Sequence, residues 1–241
     1  MNQWKSVDTF KNIDAKKVSD YIFEQLQEAI VLKELLPGEQ LPPERELCKI
    51  FNTSRDTMRD AIAVLKEEGL IEQRRGAKGG TFILPLTTQD IERTRTIVLN
   101  EKENYLRLFE FRNVIEPEVV RLVVKNVSSQ ELEELNTIVE KMKNEKNREE
   151  FRSLDVQYHL MLGKYSDNLY FEQAVRMIRL KVNPVLDILP FNEKVYEKNY
   201  LEHKQLLKAI ENGDTREAHQ IMVNHISSTT NNLFERLKNT N

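Results

Sequence analysis

Residues 41–83 read LPPERELCKIFNTSRDTMRDAIAVLKEEGLIEQRRGAKGGTFI, and the turn-forming residues in this stretch decide the fold around it. Pro43 suits the first position of one helix, because it lacks the N–H that would go unpaired there. Ser54 is a good N-cap for a second helix, and Gly69 suits the left-handed position that ends it. The stretch therefore predicts two helices joined by a tight turn.

The segments on either side complete a recognisable unit. Two short β segments, residues 70–74 and 81–84, flank a glycine-rich tip and predict a hairpin. Upstream, Val18, Ile22, Leu26 and Ile30 recur at a spacing of four, which predicts one more helix over about residues 16–35, ended by Pro37-Gly38. Three helices followed by a β-hairpin form the layout of a winged helix-turn-helix.

The rest of the chain predicts helices only. Ser128 and Glu131 form a capping box, and Gly213 closes one helix before Asp214 caps the next. Pro117 and Pro184 interrupt helical patterns, so kinks or helix starts are expected there. The predicted fold class is mainly α, with a winged helix-turn-helix over residues 11–86 and an all-helical bundle over residues 88–240.

Bulk composition limits the function classes. The chain has 241 residues, a net charge of −3 and a single cysteine, Cys48, so no internal disulfide can form and a reducing compartment is expected. No apolar run is long enough for a membrane helix, and the first residues lack the apolar core of a secretion signal. These features predict a cytoplasmic protein with no membrane partner.

The DNA-binding prediction rests on the placement of the arginines and not on bulk charge, because residues 40–84 are nearly neutral overall. Arg55 and Arg59 lie four apart at the leading end of the second helix of the pair, which enters the major groove in this motif. The alternative is that they are surface charges paired with neighbouring acids. The predicted DNA-contacting residues are Arg45, Ser54, Arg55, Thr57, Arg59, Arg75, Gly76 and Lys78.

Histidine placement predicts a metal site in the second domain. Asp155 and His159 are four apart on one helix face, and His203 and His225 lie at nearly equal distances from the turn at Gly213. At about 1.5 Å per residue, both histidines are level on an antiparallel helix pair about 8–10 Å apart. Three imidazoles and a carboxylate suit a divalent ion, with Zn²⁺ first and Ni²⁺ or Mn²⁺ as alternatives.

The quoted stretch resembles the signature of the GntR family of transcriptional regulators: LP-x-ERELA, a serine-arginine pair, and a glycine-rich wing that ends in GTF. The resemblance covers residues 18–83 and implies that Arg45, Arg55, Arg59, Arg75 and Gly76 contact DNA. This sequence departs from the pattern in having Pro43 where serine is usual, Cys48 for alanine and Met58 for valine.

Residues 108–118, LFEFRNVIEPE, together with DVQYH at 155–159 and the stretch from Glu202-His203 to His225, resemble the FCD ligand domain of the FadR-like branch. That resemblance implies metal binding by Asp155, His159, His203 and His225. It also implies that Arg112 binds a small carboxylate effector, although an ion pair with Glu116 is the alternative for this arginine.

The sequence thus predicts a homodimeric, ligand-responsive regulator and not an enzyme. It would act as a repressor on an inverted-repeat operator in double-stranded DNA, modulated by a small organic acid at the metal site. Two alternatives stay open at this point. Three histidines and an aspartate also suit a hydrolase-like zinc enzyme, although no HExxH motif occurs. The metal itself could also be the signal.

Overall fold

The computed structural model describes residues 16–76, 79–190 and 192–238. These residues cluster into two compact units. One comprises the described parts of Met1–Gln27 and Gln40–Phe82, and the other those of Glu28–Glu39 and Ile83–Asn241. The end of the first helix and the turn after it therefore group with the second unit.

The first unit has the predicted order of three helices and a hairpin. They are α1 (Val18–Val31), α2 (Glu44–Ile50), α3 (Arg55–Glu67), β1 (Ile71–Arg74) and β2 (Gly80–Ile83), and the two strands pair with each other. Its core is apolar and includes Ile22, Leu47, Met58, Ile62 and Leu65. The winged helix-turn-helix prediction is confirmed.

Two helix boundaries differ from the prediction. Pro43 is the N-cap of α2 and not its first residue, and it provides no side-chain cap. The first helix ends at Val31 and not near residue 35. It ends there because Lys33 adopts a left-handed conformation with φ 57°, which a continuing helix does not allow.

From Thr88 onward, the regular elements of the second unit are all helices in the described residues, as predicted. Caps fix several helix starts: Thr87 with Asp90, and Ser128 with Glu131, form reciprocal capping boxes. Its helices are α4 (Thr88–Asn100), α5 (Lys102–Asn126), α6 (Ser129–Met142), α7 (Arg148–Tyr165), α8 (Leu169–Leu186), α9 (Glu193–Glu211) and α10 (Thr215–Lys238).

The packing of these helices positions the polar cluster described below. Helix α10 packs along α5 and α9, and α7 packs against α5, α6 and α8. Gly163 allows the close approach of α7 to α8, since a Cβ there would lie 3.2 Å from Val175 Cβ. Pro117 and Pro184 lie inside α5 and α8 and do not begin helices. No helix in the described ranges combines the length and apolar character needed to span a membrane.

Candidate metal centre and nucleic-acid interface

The N-terminus of α3 is fixed by its cap. The Ser54 hydroxyl accepts a hydrogen bond from the Thr57 amide at 3.2 Å and lies 2.9 Å from the Thr57 hydroxyl. Met58 and Ile62 on the inner face are buried, so the opposite face of the helix turns outward. The predicted contact residues Ser54 and Thr57 therefore have a structural role at this helix start.

Arginines at this end of α3 are exposed. The Arg59 side chain is 63% exposed, and its guanidinium lies 3.6 Å from Glu44 and 3.7 Å from Asp56. Arg45 and Arg55 are exposed and have no ion pair within the described residues. Surface pairs like those of Arg59 contribute at most about 1 kcal/mol, so a phosphate can replace the acidic partners.

The hairpin tip adds further basic surface. Arg74 ends β1, where its guanidinium stacks 4.3 Å from the centre of the Phe82 ring and its Nε donates to Glu72 at 2.8 Å. Arg75 and Gly76 follow and are exposed, and Gly76 takes φ +103°, a value that favours glycine. Lys78 lies outside the described residues.

Four predicted metal-ligating side chains converge inside the second unit. Asp155 and His159 come from α7, His203 from α9 and His225 from α10, and all four are buried. One ligand atom from each lies within 4.8 Å of the others. Asp155 Oδ1 is 3.4 Å from His203 Nε2 and 3.8 Å from His159 Nε2. Donors held about 2.1 Å from a tetrahedral ion lie about 3.4 Å apart, so these spacings suit a shared cation.

A second layer of acceptors orients each imidazole. His159 Nδ1 lies 2.6 Å from Glu116 Oε2, and His225 Nδ1 lies 2.7 Å from Glu202 Oε2. His203 Nδ1 lies 2.7 Å from the Asn199 carbonyl. With a proton on each Nδ1, the Nε2 lone pairs are free, which is the usual arrangement of metal-binding histidines.

Unpartnered buried atoms mark the centre of the cluster. The Nε2 atoms of His159 and His203 have no hydrogen-bond partner within the described residues. Buried polar atoms normally find a partner, and an orphaned imidazole nitrogen is a good ligand for a borderline metal. The residues present therefore fit a divalent cation.

The protonation states also fit a cation. Burial lowers the pKa of His159 to about 4 and that of His203 to about 3, so both rings are neutral near pH 7. Burial by itself would raise the pKa of Asp155, but Arg179 and the neighbouring charged groups hold it well below its usual range. The cluster thus offers an ionised carboxylate and neutral imidazoles, the forms that bind metal.

Two buried arginines lie beside this cluster. Arg112 Nε donates to Glu116 Oε1 at 2.7 Å, the ion pair that was the alternative for this residue, and its Nη1 has no partner among the described residues. Arg179 Nη2 donates to Asp155 Oδ2 at 2.5 Å, while its Nε and Nη1 are likewise unpartnered. Both guanidiniums therefore keep donors that a bound anion could use.

Both domains match known protein families. The sequence pattern of the bacterial regulatory proteins of the gntR family matches residues 18–83, and that of the FCD domain matches residues 107–228. The chain belongs to the GntR family and carries an FCD domain. This GntR protein is therefore a DNA-binding transcriptional regulator and not an enzyme, which removes the hydrolase alternative.

Individual relatives span nearly the whole GntR chain. The galactonate operon transcriptional repressor of Escherichia coli K12 is 29% identical over 224 residues, covering 90% of this chain and 97% of the relative. The NanR repressor of Enterobacter sp. (strain 638) is 26% identical and covers 89% and 85%.

Solved structures share the fold of the GntR protein. E. coli McbR/YncC has a TM-score of 0.53 at 16% identity and covers 92% of this chain and 99% of its own. A GntR regulator from Rhodococcus sp. RHA1 has a TM-score of 0.54 at 16% identity, with coverage of 90% and 97%. At this level of identity, the likeness concerns the fold alone.

Several residues of the site were not predicted from the sequence of this GntR protein. Glu202 directly precedes His203 and was assigned no role. Glu116 was considered only as an ion-pair partner of Arg112 and not as the acceptor for His159. Arg179 lies 24 residues beyond Asp155 on another helix. Only the packing of α5, α7, α8, α9 and α10 brings these side chains to the histidines.

Proposed function

We propose that this GntR regulator binds an inverted-repeat operator as a homodimer and represses transcription until a small organic acid binds at a divalent metal in its helical domain. One observation supports the sensor half most strongly. Two buried histidines, His159 and His203, present unpartnered Nε2 atoms toward Asp155, while acceptors hold their Nδ1 atoms.

In this proposal Asp155, His159, His203 and His225 hold the ion, which would offer an electrophilic position to a carboxylate oxygen when bound. Zn²⁺ is the first candidate, followed by Ni²⁺ and Mn²⁺, because nitrogen donors predominate.

The arginines support a carboxylate as the effector. Arg112 and Arg179, with a divalent ion, would carry more positive charge than Glu116 and Asp155 neutralise. A buried excess of charge is costly, so an anionic ligand is favoured at this place. The name of the galactonate operon repressor adds a narrower suggestion, namely that the anion is a sugar acid. Arg112 Nη1 is the donor we assign to the effector carboxylate.

Exposed arginines support the DNA half. A single recognition helix reads few base pairs, so two winged helix-turn-helix domains related by a twofold axis are the natural route to specificity. Arg55→Ala and Arg59→Ala are expected to abolish operator binding, measured by fluorescence anisotropy, and to leave metal binding intact. Lys66→Ala, at the exposed far end of the same helix, is the matched control and should bind DNA nearly as well as the wild-type protein.

Metal binding is tested with chelator-treated, full-length protein and added Zn²⁺. At a free concentration of about 100 times Kd, binding adds about 2.7 kcal/mol and raises Tm by about 5–10 °C. His203→Ala should lose this shift but still bind DNA. His219→Ala is the control, because His219 lies on α10 outside the cluster.

Screening small organic acids by thermal shift, with and without chelator, then tests the effector. A set of acids that stabilise the protein only when metal is present supports the proposal. If operator affinity instead responds to Zn²⁺ alone, across physiological concentrations and with no effect of any acid, the metal is itself the signal. A His203→Ala protein that responds normally to an acid would contradict the metal-site proposal.

A further inference from the structure

The C-terminal end of α1 closes in a Schellman motif. Lys33 N donates to Ile30 O at 3.0 Å, and Glu34 N donates to Ala29 O at 2.9 Å. This places Lys33 at the C′ position, where its φ of 57° is left-handed.

Lysine is an unexpected residue at that position. Gly69 and Gly213 occupy the same position in equivalent motifs: Gly69 N donates to Lys66 O, and Gly213 N donates to Ile210 O. Glycine is the default there because a Cβ is crowded in the left-handed conformation. A lysine kept in that conformation indicates that its side chain makes contacts a glycine could not.

Those contacts lie inside the helical unit. Lys33 Nζ is 3.0 Å from Glu149 Oε2 on α7 and 3.1 Å from Asp187 Oδ2 just after α8, with the Lys33 side chain only 7% exposed. The Lys33 carbonyl also accepts a hydrogen bond from Ser153 Oγ at 2.8 Å. The Val31 carbonyl accepts from Asn183 Nδ2 at 3.0 Å. The end of α1 is thus held by α7 and α8.

Further ion pairs connect Asp187 to the candidate metal ligands. Asp187 Oδ1 lies 3.3 Å from Arg152 Nε, and Arg152 Nη1 lies 3.3 Å from Asp155 Oδ2. The other oxygen, Asp155 Oδ1, faces His203 and His159. Alternating charges therefore run from the candidate metal ligand Asp155 through Arg152 and Asp187 to Lys33. Asp155, Asp187 and Lys33 are buried, and the Arg152 side chain is 11% exposed.

We propose that this network, Asp155–Arg152–Asp187–Lys33, couples occupancy of the metal and effector site to the C-terminal end of α1. The inference rests on the proposed function. A cation held by Asp155 and the histidines would withdraw charge from the Asp155 carboxylate, so the shared Arg152 guanidinium would bind Asp187 more strongly, and Asp187 in turn would have less charge left for Lys33. In the low dielectric of the interior, such changes are poorly screened.

Helix α1 is a suitable receiver of this signal. Its residues 18–27 belong to the first unit, which carries the winged helix-turn-helix, whereas residues 28–31 and the turn that follows belong to the second, helical unit. A change in the ion pairs of Lys33 would therefore act on α1, whose residues 18–27 belong to the first unit.

Lys33→Gly is the informative variant. Glycine accepts the left-handed φ, so the backbone and the fold are retained while both ion pairs are removed. The matched control is Arg176→Ala. Arg176 lies on α8 and pairs with Glu28 at 3.2 Å and Glu34 at 3.5 Å, so it binds the same segment of chain without any link to Asp155.

The readout is amide hydrogen exchange of residues 28–36, measured by mass spectrometry on chelator-treated, full-length protein with and without Zn²⁺. In the wild-type and Arg176→Ala proteins, Zn²⁺ is expected to change the exchange rate of this segment by about fivefold, the lower end of typical allosteric coupling. In Lys33→Gly the rate should not respond to Zn²⁺, although the Zn²⁺-induced rise in Tm persists. Asp187→Asn, which keeps the shape of the side chain, should behave like Lys33→Gly.

The outcomes separate the two proposals. If Zn²⁺ raises the Tm of Lys33→Gly and still changes exchange in residues 28–36 as in the wild-type protein, the network is refuted and the metal site stands. If Zn²⁺ changes the Tm of the wild-type protein but not its exchange in this segment, the network is also refuted. If Zn²⁺ has no effect on the wild-type Tm, the metal site fails and the network fails with it.

Discussion

Acidification should destabilise the metal-free protein, because two histidines are buried in their neutral forms. The pKa is about 4 for His159 and about 3 for His203 in the folded protein, against 6.5 as the ordinary value. Below pH 6.5 the unfolded chain therefore binds protons that the folded chain does not. The free energy of unfolding is fully retained above about pH 6.5 and decreases as the pH falls toward the folded values.

The size of this loss in the free energy of unfolding depends on how far the pH lies below 6.5. At about pH 5 each of the two histidines is protonated in the unfolded chain and neutral in the folded protein. For each histidine, the free energy of unfolding falls by about 1.4 kcal/mol for each pH unit below 6.5, and pH 5 lies roughly 1.5 units below that value. The loss is about 2 kcal/mol per histidine and about 4 kcal/mol for both. It depends little on the exact folded pKa, provided that this value lies below about 5. The pKa values of Glu116 and Asp155 are lowered well below their usual range, so the stability that these carboxylates contribute is lost only at lower pH.

Urea unfolding of chelator-treated protein, followed by far-UV circular dichroism at several pH values, measures this loss. His159→Gln and His203→Gln each remove one titrating group, so each is expected to reduce the loss between about pH 7 and about pH 5 by about half. Val175→Ala is the control, since it loosens the core without removing an ionisable group. An unchanged pH dependence in both glutamine variants would refute the assignment of buried neutral imidazoles.

Two further changes test the supporting contacts. Glu116→Gln removes the charge that holds a ligand histidine through its Nδ1, so the affinity for Zn²⁺ should fall about 10- to 100-fold by calorimetry, whereas Glu118→Gln on the same helix should have little effect. Ser54→Ala removes the N-cap of α3 and should lower the free energy of unfolding by about 1 kcal/mol in urea titrations, and an unchanged value would mean that the capping hydrogen bond contributes nothing.

Local patterns explain what the sequence predicted correctly. Ser54 caps α3, Gly69 ends it, and both act through neighbours within four residues, so their roles can be inferred from spacing. The convergence of His203 and His225 follows from their near-equal distances to Gly213, and the structure places their rings 5.0 Å apart. A helix rises regularly, so positions level across a tight turn are predictable without a structure.

The end of α1 shows where that reasoning stops. The helix was predicted to reach Leu35, but it ends at Val31, because Lys33 is held outside the helix by Glu149 and Asp187. Both acids are more than a hundred residues away in the chain, and periodicity carries no information about partners at that separation.

The amino-acid sequence alone thus determined the winged helix-turn-helix and the helical second domain, because helix caps, turns and i, i+4 faces are short-range features. It also named Asp155, His159, His203 and His225 as candidate ligands, and their binding of a metal stays a prediction. Tertiary structure decided which acceptors hold each imidazole, that Arg179 and Arg152 share Asp155, and that Lys33 ends α1. Those pairings depend on how helices pack and rotate against one another, and an apolar stripe specifies which face is buried without specifying which polar side chain it will meet.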